Sequence, residues 1–539
     1  MFLGLLLVAA VALWLVRPVW HGLAIVFWTA PLLWLPPLLV LGVGAVAWRR
    51  NVAWRTLEDL QTPRRPAPWL LAFPMAAFVL FVLGGALNGS LVASSLANNT
   101  SFEEIPGLPA GGMVRLVPRE VAEQNASSAF NSSTETLTDF RIVRTEQGLR
   151  WTALRTPQGA FRVFNRKSQG LVELDAQQTA RRLRQIDEEL AVAPGLQVTD
   201  NLRWRLLKRR FLVELADPVG IETPRGPRIL VPYLERKGLL VRRPVLGGVF
   251  VVAPDGSIED LEPEEAARRP ELARTGRIYP DVLARRVQDA YAYRKGIWNA
   301  WFVHEDQTQI SDTELNQQPY LIDFGGRLGP QWVTVAEPYG RAFAASAIFL
   351  TDAVTGRVRV WRVPRGRSLS GNRRALQAVR AVSIPGVDFG TGGPGGAGNF
   401  RVVEPRPIFV RGKLVYLASI IPISANAVSK TVVVDAESNK LVQVFDNDRD
   451  PEAEAKTLRY LRTGDLPDGR GETEPTPQGE PAEQPAGGGT GGTGGTGGGD
   501  VEERLDRLVD RQRELLEETE ALQDALRRER EREGAAAAP

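Results

Sequence analysis

The stretch IFLTDAVTGRVRV (Ile348 to Val360) reads as two short β-strands around a turn. A near-copy, VVVDAESNKLVQV (Val432 to Val444), puts Asp435 and Asn439 where the first has Asp352 and Gly356. Apolar residues alternate on both sides of each turn, the period of a strand with one buried face. Asp at a turn start accepts backbone N–H groups, and Gly or Asn takes the left-handed conformation that closes it. Asp352 and Gly356 are therefore expected to shape a hairpin, with the strands as the recurring feature.

Two further stretches have the same form: FRVFNRKSQGLVEL (Phe161 to Leu174) and GVFVVAPDGSIEDL (Gly248 to Leu261). A strand candidate precedes each of the four hairpins: GLRWTALRT, RILVPYL, QWVTVAEPY and KLVYLASII. A helix candidate precedes each of those: PREVAEQNASSAF, DNLRWRLLKRRFLVELA, PDVLARRVQDAYAYRK and GNRRALQAVRAV. Pro118 and Pro280 stand at helix starts, where a missing N–H costs nothing, and Asp200 is a good N-cap. The expected fold class is α+β, with one helix laid across a small antiparallel sheet in each of four units, 110–195, 196–275, 276–366 and 367–462.

This order, with VPREVAEQNASSAF before strands and FLTDAVTGRVRV or VVVDAESNKLVQV as the last hairpin, resembles the PepSY-type domains of bacterial envelope proteins. The resemblance implies a non-catalytic module that binds peptides, proteins or peptidases. It carries over no ligand residue. The second unit departs from the pattern in its short P-D-G turn, and the first lacks Asp at the turn start.

The first 88 residues are strongly apolar and read as a membrane anchor with three spans, 2–20, 22–48 and 68–87. Two spans plus an interfacial segment is the alternative. Kinks are expected at Pro31 and at Pro36-Pro37. Arg49, Arg50, Arg55, Arg64 and Arg65 lie between the second and third spans, whereas no Lys or Arg follows the third until Arg115. The positive-inside rule then makes the N-terminus and residues 49–67 cytoplasmic and residues 89–539 extracytoplasmic. The first segment lacks a basic leader, so it reads as a span and not a signal peptide. Apart from Arg17 and His21 at a turn, the spans hold no ionisable residue, which argues against a self-sufficient transporter.

Residues 463–499 are rich in Gly, Pro and Glu and form a disordered linker ending in GGGTGGTGGTGGG. A coiled-coil-type helix is expected over 500–533. Val501, Leu508, Leu515 and Leu522 recur at spacing seven, and Leu505 and Leu526 occupy the second seam with Gln512 and Thr519 between them. The helix would pair with itself, giving a homo-oligomer, or with a partner.

Composition removes much chemistry. There is no cysteine and there are only two histidines, His21 and His304, which excludes thiolate catalysis, disulfides and Cys-based metal sites. The 66 basic and 63 acidic residues nearly balance, so no charged face for nucleic acid is expected. Asp446, Asp448 and Asp450 in DNDRDPEAEAKT have the spacing of the first calcium-loop ligands. Pro451 and Thr457 stand where such a loop needs Gly and a bidentate Glu, so a solvated turn is the simpler reading. GTGGPGGAGN (Gly390 to Asn399) lacks the βαβ setting of a nucleotide loop. His304, beside Glu305 and Asp306, reads as a surface or structural residue. The stripe Trp204, Leu207, Phe211 and Leu215 reads as the core face of one helix, although an outer-leaflet contact fits too.

No catalytic residue and no cofactor is assigned. The expected function is a membrane-anchored extracytoplasmic scaffold, sensor or regulator acting through protein partners of the envelope or membrane. An accessory subunit of a transport or channel complex and a cell-envelope hydrolase are the alternatives.

Overall fold

The structure is a computed structural model. It describes residues 8, 11–53, 71–159, 167–178, 183–312, 318–340, 343–390, 398–424 and 427–466. The chain divides into two units, Met1–Gln478 and Gly479–Pro539, and the second lies wholly outside the described residues. So do the linker from residue 467 and the expected seam residues Val501, Leu505, Leu508, Leu515, Leu522 and Leu526.

After a helical stretch at residues 11–15 come three apolar helices: α1 (Arg17–Thr29), α2 (Pro31–Ala53) and α3 (Ala72–Asn98). The expected span 22–48 is in fact divided between α1 and α2. Ala30 leaves helical geometry, and Pro31, which cannot donate a backbone hydrogen bond, opens the next helix. Pro36 and Pro37 lie inside α2. The third expected span, 68–87, is replaced by a longer helix that runs on to Asn98. Two helices, Pro31–Arg50 and Ala72–Asn98, are long and apolar enough to cross a membrane. The expected span 2–20 is described only at residues 8 and 11–20, and its last four residues belong to α1.

α2 and α3 pack closely through small residues. A Cβ on Gly84 would lie 2.8 Å from the Leu32 carbonyl oxygen, and one on Gly44 would lie 2.8 Å from the Phe73 ring. These two contacts join the start of α2 to the later part of α3 and the later part of α2 to the start of α3, so the helices run antiparallel.

After α3 a short strand, β1 (Phe102–Glu104), leads to α4 (Arg119–Phe130) and the first antiparallel sheet. That sheet orders β2 (Glu135–Thr145), β3 (Gly148–Pro157), β4 (Ser168–Asp175) and β5 (Leu183–Leu190) in sequence. α5 (Leu202–Arg209) precedes β6 (Glu214–Leu215), β7 (Val219–Thr223), β8 (Gly226–Lys237), β9 (Arg243–Val252) and β10 (Ile258–Leu261), which form the second sheet. Two short helices follow, α6 (Pro263–Arg268) and α7 (Pro270–Ala273).

α8 (Asp281–Ala290) precedes the third sheet, which is built from β11 (Thr308–Gln309), β12 (Tyr320–Asp323), β13 (Pro330–Pro338), β15 (Ala347–Asp352) and β16 (Val358–Arg362). β1 adds to its edge, parallel to β16. β14 (Ala344–Ala345) pairs with β17 (Leu369–Ser370) beside it. α9 (Asn372–Arg380) leads to the fourth sheet, β18 (Phe400–Val410), β19 (Lys413–Pro422), β20 (Lys430–Asp435) and β21 (Leu441–Asp446), and α10 (Ala453–Thr463) closes the described body.

The first and fourth sheets open alike. Each begins with an 11-residue strand, turns over two residues, and returns on a 10-residue strand. Each first strand carries a β-bulge at the same place, between Thr138 and Arg141 and between Val403 and Arg406. At each bulge a carboxylate residue takes the left-handed conformation, Asp139 at φ 57° and Glu404 at φ 49°.

The opening hairpins behave as turn chemistry dictates. Asp352 Oδ1 accepts the Val354 and Thr355 amides at 2.9 and 2.8 Å, and Asp435 Oδ1 accepts those of Glu437 and Ser438 at 3.0 and 2.7 Å. Gly356 and Asn439 close the two turns at φ 75° and 55°. Residues 160–166, which include most of the first strand of the expected 161–174 hairpin, lie outside the described residues.

Other expectations need correction. The helix expected over 200–216 stops at Arg209, and Asn201, not Asp200, caps it by accepting the Trp204 amide at 3.2 Å. Arg210 leaves the helix to reach Asp260 and Glu235, so the stripe from Trp204 to Leu215 is broken at its midpoint. DNDRDPEAEAKT does form a turn, in which Asp446 Oδ1 accepts the Asp448 and Arg449 amides, but its last residues from Ala453 belong to α10. β2, β5 and β18 were not anticipated. β18 contains Pro405 and Pro407, which read against a strand. Pro405 sits in the bulge and so leaves the ladder intact.

Candidate functional site

A cleft of about 930 Å³ opens between the first, third and fourth sheets. The N-terminus of α4 supplies Arg119, Glu120 and Glu123, β2 supplies Phe140 and Arg141, and α8 supplies Asp281, Arg285, Arg286 and Asp289. Trp151, Trp332 and Glu404 complete the floor with Arg115 and Arg277.

Aromatic rings hold two of the arginines. The Arg115 guanidinium lies 5.1 Å from the rings of both Trp151 and Tyr320, and that of Arg277 lies 4.7 Å from Trp332. The indoles are themselves fixed, Trp151 Nε1 donating to Val117 O at 3.1 Å and Trp332 Nε1 to Tyr279 O at 2.8 Å. Arg277 donates Nε to Ile142 O at 2.7 Å and Nη1 to Asp281 at 3.2 Å. Burial, reinforced by the nearby charges of Arg141 and Arg115, lowers its pKa to about 10.

Toward the rim the pairs are asymmetric. Arg141 is largely covered while its partner Asp217 is exposed, and the Arg141 Nε is buried without a hydrogen-bond partner. Arg285 reaches Asp289 and Asp312, both at 2.9 Å, and the carbonyl of Gln318 at 3.1 Å. Burial raises the Asp289 carboxyl above its ordinary range against the pull of Arg285, and burial likewise raises Asp139. Arg286 makes a two-point contact with Glu214, which also takes Arg236. Burial opposes the Glu214 charge, but the two guanidiniums outweigh it and hold the carboxyl low.

The cleft thus has guanidiniums in its floor and more exposed carboxylates at its mouth. Such a surface can recognise an acidic segment by exchanging its own exposed carboxylates for those of a partner. Among the described residues, no group of three or more Asp, Glu or His is disposed to hold a metal ion.

The residues singled out in the sequence lie elsewhere. Asp446 accepts Lys430 Nζ at 2.5 Å, Asp448 accepts the Ser429 hydroxyl, and Asp450 accepts Lys456 Nζ at 2.7 Å. Their carboxylates therefore turn to three different partners. The His304 ring stacks on Tyr339 at 4.1 Å and its Nδ1 lies 2.6 Å from Gln307, while Glu305 and Asp306 both face Lys295. Residues 391–397, the middle of the glycine-rich stretch, lie outside the described residues. Sequence reading missed the cleft because its residues come from segments hundreds of positions apart. Arg115 and Trp151, or Arg277 and Trp332, carry no sign of pairing without the fold that brings the two groups together.

No protein-family model, curated protein or solved structure matches the chain.

Proposed function

We propose that this chain is a membrane-anchored extracytoplasmic scaffold or sensor that acts through protein contacts and not by catalysis. The observation that carries the proposal is α3. At ~1.5 Å per residue its 27 residues reach ~40 Å, about 10 Å more than a hydrocarbon core. Its early turns expose Met75, Phe78, Val79 and Leu83, whereas Leu96 and Ala97 are buried with Val121, Leu283 and Val287 in one core. An apolar helix that continues without a break into the packing of α4 and α8 couples the cleft mechanically to the membrane.

In this reading the loop of 49–67 faces the cytoplasm, and the body after α3 lies outside. The matching bulged hairpins of the first and fourth sheets support a body built from repeated helix-plus-sheet units of PepSY-like type. The cleft is the contact surface for an envelope or membrane protein, and the tail beyond residue 500 a tethered second contact.

The test is photocrosslinking in cells from positions 217 and 289 at the mouth of the cleft, with partner identification. A defined protein captured from both positions, and lost when residues elsewhere carry the crosslinker, supports the reading. Absence of any protein crosslink at the cleft overturns it. Deleting 501–539 is expected to lower the oligomeric state or remove one partner.

A further inference from the structure

Two apolar loops of the body, together called the collar, lie against the N-terminal helices, one at α3 and one at α1. Trp298 is 71% exposed, Phe302 60% and Val303 55%, in and just before a π-helical turn over Asn299–Val303. The Trp298 and Phe302 rings pack with centroids 4.5 Å apart. Trp301 Nε1 donates to Ser90 Oγ at 3.0 Å, and Tyr293 Oη lies 3.4 Å from the same hydroxyl. Ser90 stands on α3 where the helix passes from its exposed apolar length into the body.

A second loop lies against α1. Leu239 is 79% exposed in the turn between β8 and β9, and the Arg242 guanidinium beside it covers the Trp28 ring at 3.7 Å. α1 follows the body along its length. Arg17 bonds the Lys208 carbonyl, His21 Nε2 lies 3.0 Å from Val213 O, and Trp20 meets Phe211 at 4.8 Å. Its other face leaves Val19, Leu23 and Val26 exposed. At ~1.5 Å per residue its 13 residues reach only ~20 Å, too short to cross ~30 Å of hydrocarbon.

We infer that α1, the Trp298–Val303 turn and the Leu239–Leu240 tip insert into the outer-leaflet interface and seat the body on the bilayer. The occupant is lipid. The patches join an apolar stem that already enters the membrane, and tryptophans beside cationic side chains suit the headgroup level. Paired with a fixed stem, the collar sets the tilt of the body and holds the cleft at a constant height above the lipid. The inference rests on the membrane reading above.

The chain has no cysteine, so single-cysteine variants take a spin label cleanly. Full-length protein in phosphatidylcholine–phosphatidylglycerol vesicles is labelled at Leu239→Cys, Trp298→Cys and Phe302→Cys, with Glu437→Cys on the last hairpin as the solvent control. Labels at 239, 298 and 302 are expected to gain several-fold in collision with oxygen relative to a water-soluble nickel reagent, compared with the label at 437. Equal ratios at all four positions overturn the collar. Alkaline carbonate extraction of the same vesicles tests the anchor separately. Protein that resists extraction but shows no lipid contact at these positions loses only the collar, whereas protein released by carbonate loses the membrane reading as well. The double variant Trp298→Ser/Phe302→Ser is expected to stay extraction-resistant while a label at 239 loses at least part of its lipid contact. An unchanged ratio at 239 means that the two loops do not act as one seat.

Discussion

Glu404 Oε2 accepts Arg115 Nε at 3.0 Å, and its other oxygen accepts the Arg119 backbone N–H at 3.2 Å. One carboxylate therefore joins the bulge of the fourth sheet to the first turn of α4, more than 280 positions away in sequence. Arg406, fully buried, lies 3.7 Å from the same carboxylate and spends its own donors on Leu116 O, Leu417 O and Ser419. Burial lowers the Arg406 pKa to about 10.

Removing that charge leaves two covered guanidiniums without their anion. Glu404→Gln is expected to cost about 3–5 kcal/mol in denaturant unfolding, the penalty for breaking a buried pair from one side. Replacing Arg115 and Glu404 together by methionine should cost much less. Equal losses in the single and double variants would show that the pair does not act as a unit.

The two homologous-looking turns make opposite predictions at their closing residue. Gly356→Ala would place a Cβ 2.2 Å from the Tyr279 ring at a φ of 75°, so a loss of about 1–3 kcal/mol is expected. Asn439→Gly relieves a left-handed conformation and should be near neutral. Thermal melts decide, and a neutral Gly356→Ala would remove the steric argument.

Close approach of α2 and α3 depends on Gly84. Gly84→Val should destabilise the protein in detergent by about 1–3 kcal/mol, because its Cβ would meet the Leu32 carbonyl. Gly89→Ala, with nothing within 4 Å, is the control and should melt as the parent does.

Glu337 gives a pH signature. Its side chain is buried on β13, accepts the Ser311 hydroxyl at 2.5 Å and keeps Oε1 without a partner. Burial raises its carboxyl above the ordinary 4.5. The folded chain then holds this proton longer than the unfolded chain. Its contribution is fully present below pH 4.5 and is lost as pH rises through the raised folded value. Glu337→Gln is expected to flatten that decline in stability–pH curves. Parallel curves for parent and variant would assign the slope to other groups.

What the sequence by itself determined is local. Alternating strands around Asp352 and Asp435, Pro at the starts of α4 and α8, and the apolar runs of α2 and α3 all follow from short-range chemistry. They account for the two hairpins, for helices that begin at Arg119 and Asp281, and for two helices long and apolar enough to cross a bilayer where three spans were expected. Tertiary structure decided the rest. β18 exists despite Pro405 because a bulge absorbs it, and β5, LRQIDEEL, is a strand because β4 supplies its ladder partner. α5 stops at Arg209, where Arg210 turns to Asp260 and Glu235 and Phe211 packs on the rings of Trp14, Trp20 and His21. The cleft could not be read at all. Arg115, Arg277, Trp332 and Glu404 meet only when three sheets pack, and no local propensity records a contact across such separations in the chain.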